Sequence, residues 1–267
     1  TIKNALAPQI IGQQFAGVDL LWHKTLHNLS PEEFRRRITG CQIENIRRRG
    51  KYFLFDLSDE EMLILHLKMS GVLLIENSSM EIRKHTVAVF RLNGGIDLHF
   101  IDQRKFGSLW LLRDENEVIG KLGPEPLEAA FTPAILKKAI ANHRIPIKAR
   151  ILDQNAIAGV GNMYADEALF AAGIHPLRSS NDLTDDEIER LHQGIKGVLE
   201  RGIRHNGASI NDYRLPDGSE GLAHTQFRVA HRRDQACPTC GSSIDWIKVR
   251  GRGTCFCAVC QPQTNQM

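Results

Sequence analysis

Four cysteines near the C-terminal end carry the clearest chemistry in this sequence. Cys237, Pro238, Thr239 and Cys240 are followed by sixteen residues and then by Cys257, Ala258, Val259 and Cys260. Each CxxC pair fits a tight knuckle and the insert is long enough for one β-hairpin, so four thiolates can reach the corners of a tetrahedron around Zn²⁺. Two disulfides are the alternative use of the same residues, but no signal peptide opens the chain and 267 residues need no staples for a core. Four sulfur ligands leave no coordination position for water or substrate, so the expected metal is one structural Zn²⁺ that does no chemistry itself. Within the insert, residues 244–249 read as a strand and 250–253 as its turn, which puts Arg252 at or near the hairpin tip.

Two further stretches have residue types suited to polyanions. The Gly159-Val160-Gly161 turn opens a helix at Asn162, where backbone N–H groups, a positive dipole end and the Asn162 amide make a ready phosphate site; the same glycines also serve a tight turn with no ligand. The loop Asp102-Gln103-Arg104-Lys105-Phe106-Gly107 couples two cations to an aromatic ring between strands. Cations beside an apolar wedge are what is needed to enter a base stack and fill the space left by an extruded nucleotide. Met69, in His66-Leu67-Lys68-Met69-Ser70-Gly71, is a second candidate wedge, or a core methionine at a strand end.

These stretches need elements to hold them. Ser30 as cap, Pro31 in the first turn, Glu33 closing a capping box and Leu29 stapled to Phe34 predict a short helix to about Ile38, after a short polar start. Strand periodicity follows at 52–57, 62–67, 72–75, 86–92, 96–101 and 108–112, broken by turn residues. Six short strands in about sixty residues imply a β-sandwich or barrel. Leu122-Gly123-Pro124-Glu125-Pro126-Leu127 suits neither helix nor central strand and reads as an interdomain linker. Beyond it, Thr132-Pro133 caps a helix, 148–154 and 162–172 flank the glycine turn as a helix-turn-helix-like pair, and Thr184 with Glu187 caps a long amphipathic helix. Residues 206–223 are polar and glycine-rich. The expected fold is α+β and multidomain: a β-sandwich with a helix over 1–120, a helical domain over 121–223 and a zinc finger over 224–262.

Composition is compatible with this. Hydrophobic content is 42%, and no apolar run approaches the ~20 residues of a membrane span, so a soluble cytoplasmic protein is expected. The net charge of +3 is small, yet the cations are clumped at Arg35 to Arg37, at Arg47 to Arg49 with Lys51, and from Arg228 to Arg233. Such clusters suit phosphate contacts, or a solvated face.

Taken in order, Arg49-Gly50-Lys51-Tyr52, His66 to Gly71, Asp102 to Gly107, Leu122 to Leu127, Asp153-Gln154 through Gly161-Asn162 to Ala165-Asp166-Glu167, and the four cysteines resemble the formamidopyrimidine-DNA glycosylase family over nearly the whole chain. The resemblance implies an N-terminal β-sandwich, a helix-two-turn-helix domain, a zinc finger, and a monomer that binds double-stranded DNA with an oxidised base or abasic site. It implies a bacterial repair glycosylase and abasic-site lyase for oxidised purines. Its rivals are the sister glycosylase for oxidised pyrimidines and a catalytically dead damage-binding protein. By position, Lys51 matches a phosphate-contacting lysine that assists elimination, and Arg252 the zinc-finger arginine that grips phosphates. Met69, Arg104 and Phe106 match the void-filling trio. Asn162 matches the phosphate-binding asparagine, while His85, Arg144, Lys148 and Glu167 match further positions of the DNA-binding site. The family opens on a proline whose secondary amine is the nucleophile, followed by a glutamate. The sequence as given starts after that segment, so no residue from Thr1 onward takes the nucleophile's role. Gln103 also stands where the family usually has proline.

Overall fold

The structure is a computed structural model describing residues 1–263. The chain forms two compact units, Thr1–Gly120 with His205–His224, and Lys121–Arg204 with the chain from Thr225 onward.

In the first unit, α1 (Ile2–Ile10) and β1 (Phe15–Leu20) occupy what reads from sequence as a polar start. Ile2, Leu6 and Ile10 of α1 are buried at helical spacing, but Pro8 inside the helix and its polar neighbours hide the pattern. Ser30 caps α2 (Pro31–Ile38) by accepting the Glu33 N–H at 3.2 Å. The Glu33 carboxylate pairs with Arg36 at 2.7 Å, so only half of the expected capping box forms. Then follow β2 (Ile43–Arg49), β3 (Tyr52–Leu57), β4 (Met62–His66), β5 (Gly71–Asn77), β6 (Thr86–Leu92), β7 (Ile96–Asp102), β8 (Ser108–Leu112) and the short α3 (Asn116–Ile119). The strands form two antiparallel four-stranded sheets, ordered β1-β6-β7-β5 and β2-β3-β4-β8. Phe15, Phe34, Phe55, Phe90 and Phe100 are fully buried in one shared core.

Register decides what meets at one end of this sandwich. Tyr52 pairs with His66 and His66 with Ser108, while Gly71 pairs with Asp102 in the other sheet. The connections 67–70 and 103–107 each cross from one sheet to the other beside that shared edge, and the β2–β3 turn with Lys51 lies at the same end. The 205–224 excursion belongs to this unit, although 206–223 reads from sequence as the end of the helical domain. Its Pro216 carbonyl accepts from Ile75 N–H of β5 at 2.8 Å, and Tyr213 packs against the sandwich core.

The second unit contains α4 (Pro133–Ile140), α5 (Ile147–Ile151), α6 (Asn162–Ala172) and α7 (Asp185–Arg204), with β9 (Asp245–Val249) and β10 (Arg252–Phe256) as an antiparallel hairpin. Gly173 ends α6 in the left-handed conformation, φ 69°. The Thr184–Glu187 box forms in both directions, at 2.8 and 3.2 Å. Leu169, Leu191 and Ile195 are among the core residues of the helices, and a small separate cluster of Phe170, Val229, Cys237, Ile244, Cys255 and Cys257 underlies the hairpin. Among the described residues no helix is long and apolar enough to cross a membrane.

Candidate nucleic-acid interface

At the end of the sandwich, Asp102 organises the 103–107 loop from below. Its buried carboxylate accepts from Ser70 Oγ at 2.5 Å, Gly107 N–H at 2.6 Å and Arg104 N–H at 3.2 Å. A Cβ at Gly107 would stand 2.2 Å from Cζ of Phe100, so only glycine lets the loop turn back over the core. Lys105 takes a left-handed φ of 58° and its ammonium lies 4.0 Å from the centre of the Trp22 ring. The Arg104 and Gly107 N–H groups are thus drawn inward, and the apolar tips are left outward. Met69 is 61% exposed and Phe106 54%. The Arg104 guanidinium sits 4.9 Å from the Phe106 ring centre and 3.3 Å from the Met69 sulfur. The three expected wedge residues are therefore one contiguous projection.

Lys51 is exposed in the β2–β3 turn, after Gly50 at φ 56°. His66 lies beside it, edge-on to the Tyr52 ring at 4.5 Å, and its Nδ1 accepts the Lys68 N–H at 2.8 Å. Burial first, then Lys68 and Lys51, depress its pKa to about 4, so the imidazole is neutral at pH 7. His85 adopts φ 68°, and its carbonyl accepts from Asp102 N–H at 3.0 Å, placing it next to the wedge loop.

In the second unit the glycine turn is shaped by Gln154, which sequence reasoning passed over. Its side-chain oxygen accepts from Gly159 N–H at 2.9 Å, and its amide donates to the Leu152 and Val160 carbonyls. Gly159 needs its φ of 87°; Gly161, at −107°, does not. No side chain caps α6, so its first N–H groups point out of the helix end beside Asn162. The Asn162 amide donates to the Gly253 carbonyl at 3.0 Å, tying this helix end to the hairpin.

Lys148 and Glu167 are placed differently from the exposed positions. Lys148 is completely buried, and its ammonium reaches Asp166 at 2.6 Å, Thr254 Oγ1 at 2.7 Å and the Gly253 carbonyl at 2.9 Å. Burial lowers the lysine's pKa and raises the aspartate's, and the charges offset one another across that contact. Glu167 accepts the N–H groups of Arg228, Val229 and Ala230 at 2.8–3.0 Å. Both residues position the hairpin and its approach and leave no group for an outside ligand. Arg144 is exposed between α4 and α5. Arg252 is exposed as the first residue of β10, after a turn with positive φ at Arg250 and Gly251.

Behind the turn, the sulfur atoms of Cys237, Cys240, Cys257 and Cys260 lie within 4.8 Å of one another. Cys237–Cys260 is 3.8 Å and Cys240–Cys257 3.5 Å, close to the roughly 3.8 Å edge of a tetrahedron with 2.3 Å metal–sulfur bonds. No cysteine is in a disulfide, and Cys41 and Cys255 are buried outside the cluster. The donor set fits a four-coordinate thiophilic metal. Not every cationic clump is available to a partner: Arg36 and Arg37 pair with Glu33 and Glu61, and Arg47 with Asp56 and Glu115.

Comparison with known proteins bears on the same two units. The family model for the formamidopyrimidine-DNA glycosylase N-terminal domain matches residues 1–109, and that for the formamidopyrimidine-DNA glycosylase H2TH domain matches 122–214. The chain belongs to the formamidopyrimidine-DNA glycosylase family. A formamidopyrimidine-DNA glycosylase of Desulfitobacterium hafniense is 40% identical over 265 residues, covering 98% of this chain and 97% of the relative. One from Chloroflexus aurantiacus is 42% identical over 266 residues, covering 98% and 95%. The solved structure of the Lactococcus lactis Fpg in complex with DNA containing an abasic site is similar at a TM-score of 0.92 and 32% identity, over 98% of this chain and 97% of that one. A variant of the same enzyme with Fapy-dG-containing DNA gives the same values. The chain is thus of the DNA glycosylase class, with the two-domain α+β fold of that family.

Proposed function

We propose that this protein removes oxidised purines, 8-oxoguanine and formamidopyrimidines, from duplex DNA and then cleaves the strand as an abasic-site lyase. The observation that carries the reading is the Met69–Arg104–Phe106 projection, in which Arg104 touches both of the others and the loop is anchored by a buried carboxylate. A cation stacked on an exposed ring can replace an extruded base and face its orphaned partner. Lys51 and Arg252 supply phosphate contacts, and Asn162 with the open end of α6 supplies N–H donors. The four thiolates hold one Zn²⁺, whose contribution is the shape of the hairpin under Arg252.

In the reaction this implies, a secondary amine bonds to C1′ and the glycosidic bond breaks, its electron pair leaving with the base. The amine loses its proton, the C1′–O4′ bond opens as O4′ takes a proton, and the iminium so formed makes the 2′ proton acidic; loss of that proton expels the 3′ phosphate, and a second elimination expels the 5′ phosphate. The amine is that of the proline-led segment which precedes Thr1-Ile2 in the family. In this reading Lys51, exposed in the β2–β3 turn, neutralises a departing phosphate. The test is borohydride trapping on an 8-oxoguanine duplex with protein carrying that segment. A trapped adduct with released base is expected; binding without adduct would favour a damage-binding protein.

A further inference from the structure

A cavity of about 290 Å³ in the second unit shares Asn162 with that scheme, which gives its other lining residues no role. Its walls are the first turn of α6 with Asn162 and Asp166, the turn with His231 and Arg233, and the hairpin face with Trp246 and Gly253. A Cβ on Gly253 would come within 3.1 Å of the Trp246 Nε1, so the glycine leaves the indole room to lie across β10. The indole is 45% exposed, and its N–H makes no hydrogen bond among the described residues.

The arginines of the 228–233 tract differ in what they do. Arg228 stacks on Phe170 at 4.8 Å and donates to Thr239 at 2.6 Å. Arg232 is folded back onto the carbonyls of Phe227, Arg228 and Ala236. Arg233 instead lies 5.3 Å from the Trp246 ring centre, its side chain 62% exposed, with the exposed Asp234 at 3.3 Å as its ion-pair partner. Asp166 puts no net negative charge into the cavity, because Lys148 neutralises it at 2.6 Å. The cavity therefore offers a guanidinium and an indole N–H at a rim shared with Asn162 and Gly253, the residue next to Arg252.

We infer that this cavity is a further DNA-backbone site, in which a phosphodiester oxygen accepts from Arg233 and from the Trp246 N–H. The phosphate belongs to the strand gripped by Asn162 and Arg252, so the inference rests on the DNA-binding reading above. A guanidinium 5.3 Å from the centre of an aromatic ring brings its donors beside that ring, and the indole N–H is the second donor.

The test uses the full-length, zinc-loaded protein and an abasic-analogue duplex, with anisotropy measured over a salt series. Arg233→Gln is expected to flatten the slope of log K against log salt by about 0.9 and to weaken low-salt binding by about 5- to 10-fold. Trp246→Phe, which keeps a ring and removes the N–H, is expected to weaken binding about 3-fold with the slope unchanged. Unchanged zinc content and melting in both variants separates these effects from misfolding. Arg252→Gln serves as the reference. If its slope falls while Arg233→Gln and Trp246→Phe bind like wild type, the cavity is not part of the interface and the inference is overturned, with the DNA reading intact. If wild type itself binds no duplex, both fall together.

Discussion

At Phe106 the ring stands more than half exposed with a guanidinium on its face, while the Arg104 and Gly107 N–H groups of its loop are directed inward to Asp102. Phe106→Ala should remove stacking that replaces an extruded base, a loss of ~1–3 kcal/mol for lesion duplex. Undamaged duplex should lose little, since its stack is not opened. Equal losses on both, measured by competition, would make the ring a packing residue. His66 gives a second test at this scale. Its folded pKa of about 4 lies below the ordinary 6.5, so the unfolded chain takes up a proton that the folded unit refuses. The stability this neutral imidazole contributes is fully present above pH 6.5 and is lost as pH falls toward 4, by at most about 3 kcal/mol. Melting of His66→Gln should therefore depend less on pH across that window than wild type; parallel curves would mean the imidazole is not held neutral. Arg104 and Phe106 stand out by type as a cation beside an exposed-looking aromatic, while Met69 is open to reading as a core methionine until the fold shows it exposed. Gln154 and Asp102 are not legible, because their work is to satisfy backbone donors brought near only by the fold.

The hairpin beside the four-cysteine cluster is the element expected to depend most on one interaction. Its buried core holds six residues, three of them cysteines, too little apolar surface to fold unaided. Cys240→Ser is expected to release the metal and abolish DNA binding. The sandwich, with its own core, should keep its melting transition; if affinity survived metal loss, Arg252 would not depend on the hairpin. The approach to the hairpin hangs on Glu167, whose carboxylate collects three successive backbone N–H groups. Glu167→Gln leaves one weaker acceptor, at a cost of about 2 kcal/mol. Amide exchange at 228–230 should accelerate in it while exchange in α7 does not; uniform acceleration would point to general unfolding. Elements with local signals were the readable ones. Caps at Ser30, Thr132 and Thr184 form as the sequence predicts, and the six predicted strands are present. The first helix and strand were missed because Pro8 weakens local propensity and tertiary burial of Ile2, Leu6 and Ile10 overrides it. Lys148, too, reads as a ligand by position, while only the fold reveals that it is walled in by Asp166, Thr254 and Gly253.

Across the whole molecule, the proposed interface divides affinity and discrimination between different groups, and salt can separate them. The exposed cations proposed to meet phosphates include Lys51 in the first unit and Arg233 and Arg252 in the second, on a chain whose net charge is only +3. Neutralising about four to six phosphates releases as many counterions, giving a slope of log K against log salt of about −4 to −5. The proposed wedge would work by stacking and shape, which release no counterions. Raising salt from about 50 to 200 mM should then weaken abasic-analogue and undamaged duplexes by nearly the same factor, several hundred-fold, and leave their ratio within about two-fold. Anisotropy titrations on the two duplexes at each salt concentration measure both quantities at once. A ratio that shrank in step with the affinity would mean that discrimination is itself ionic, read through extra phosphate contacts on bent DNA, and the Met69–Arg104–Phe106 projection would lose its role as the reader of damage.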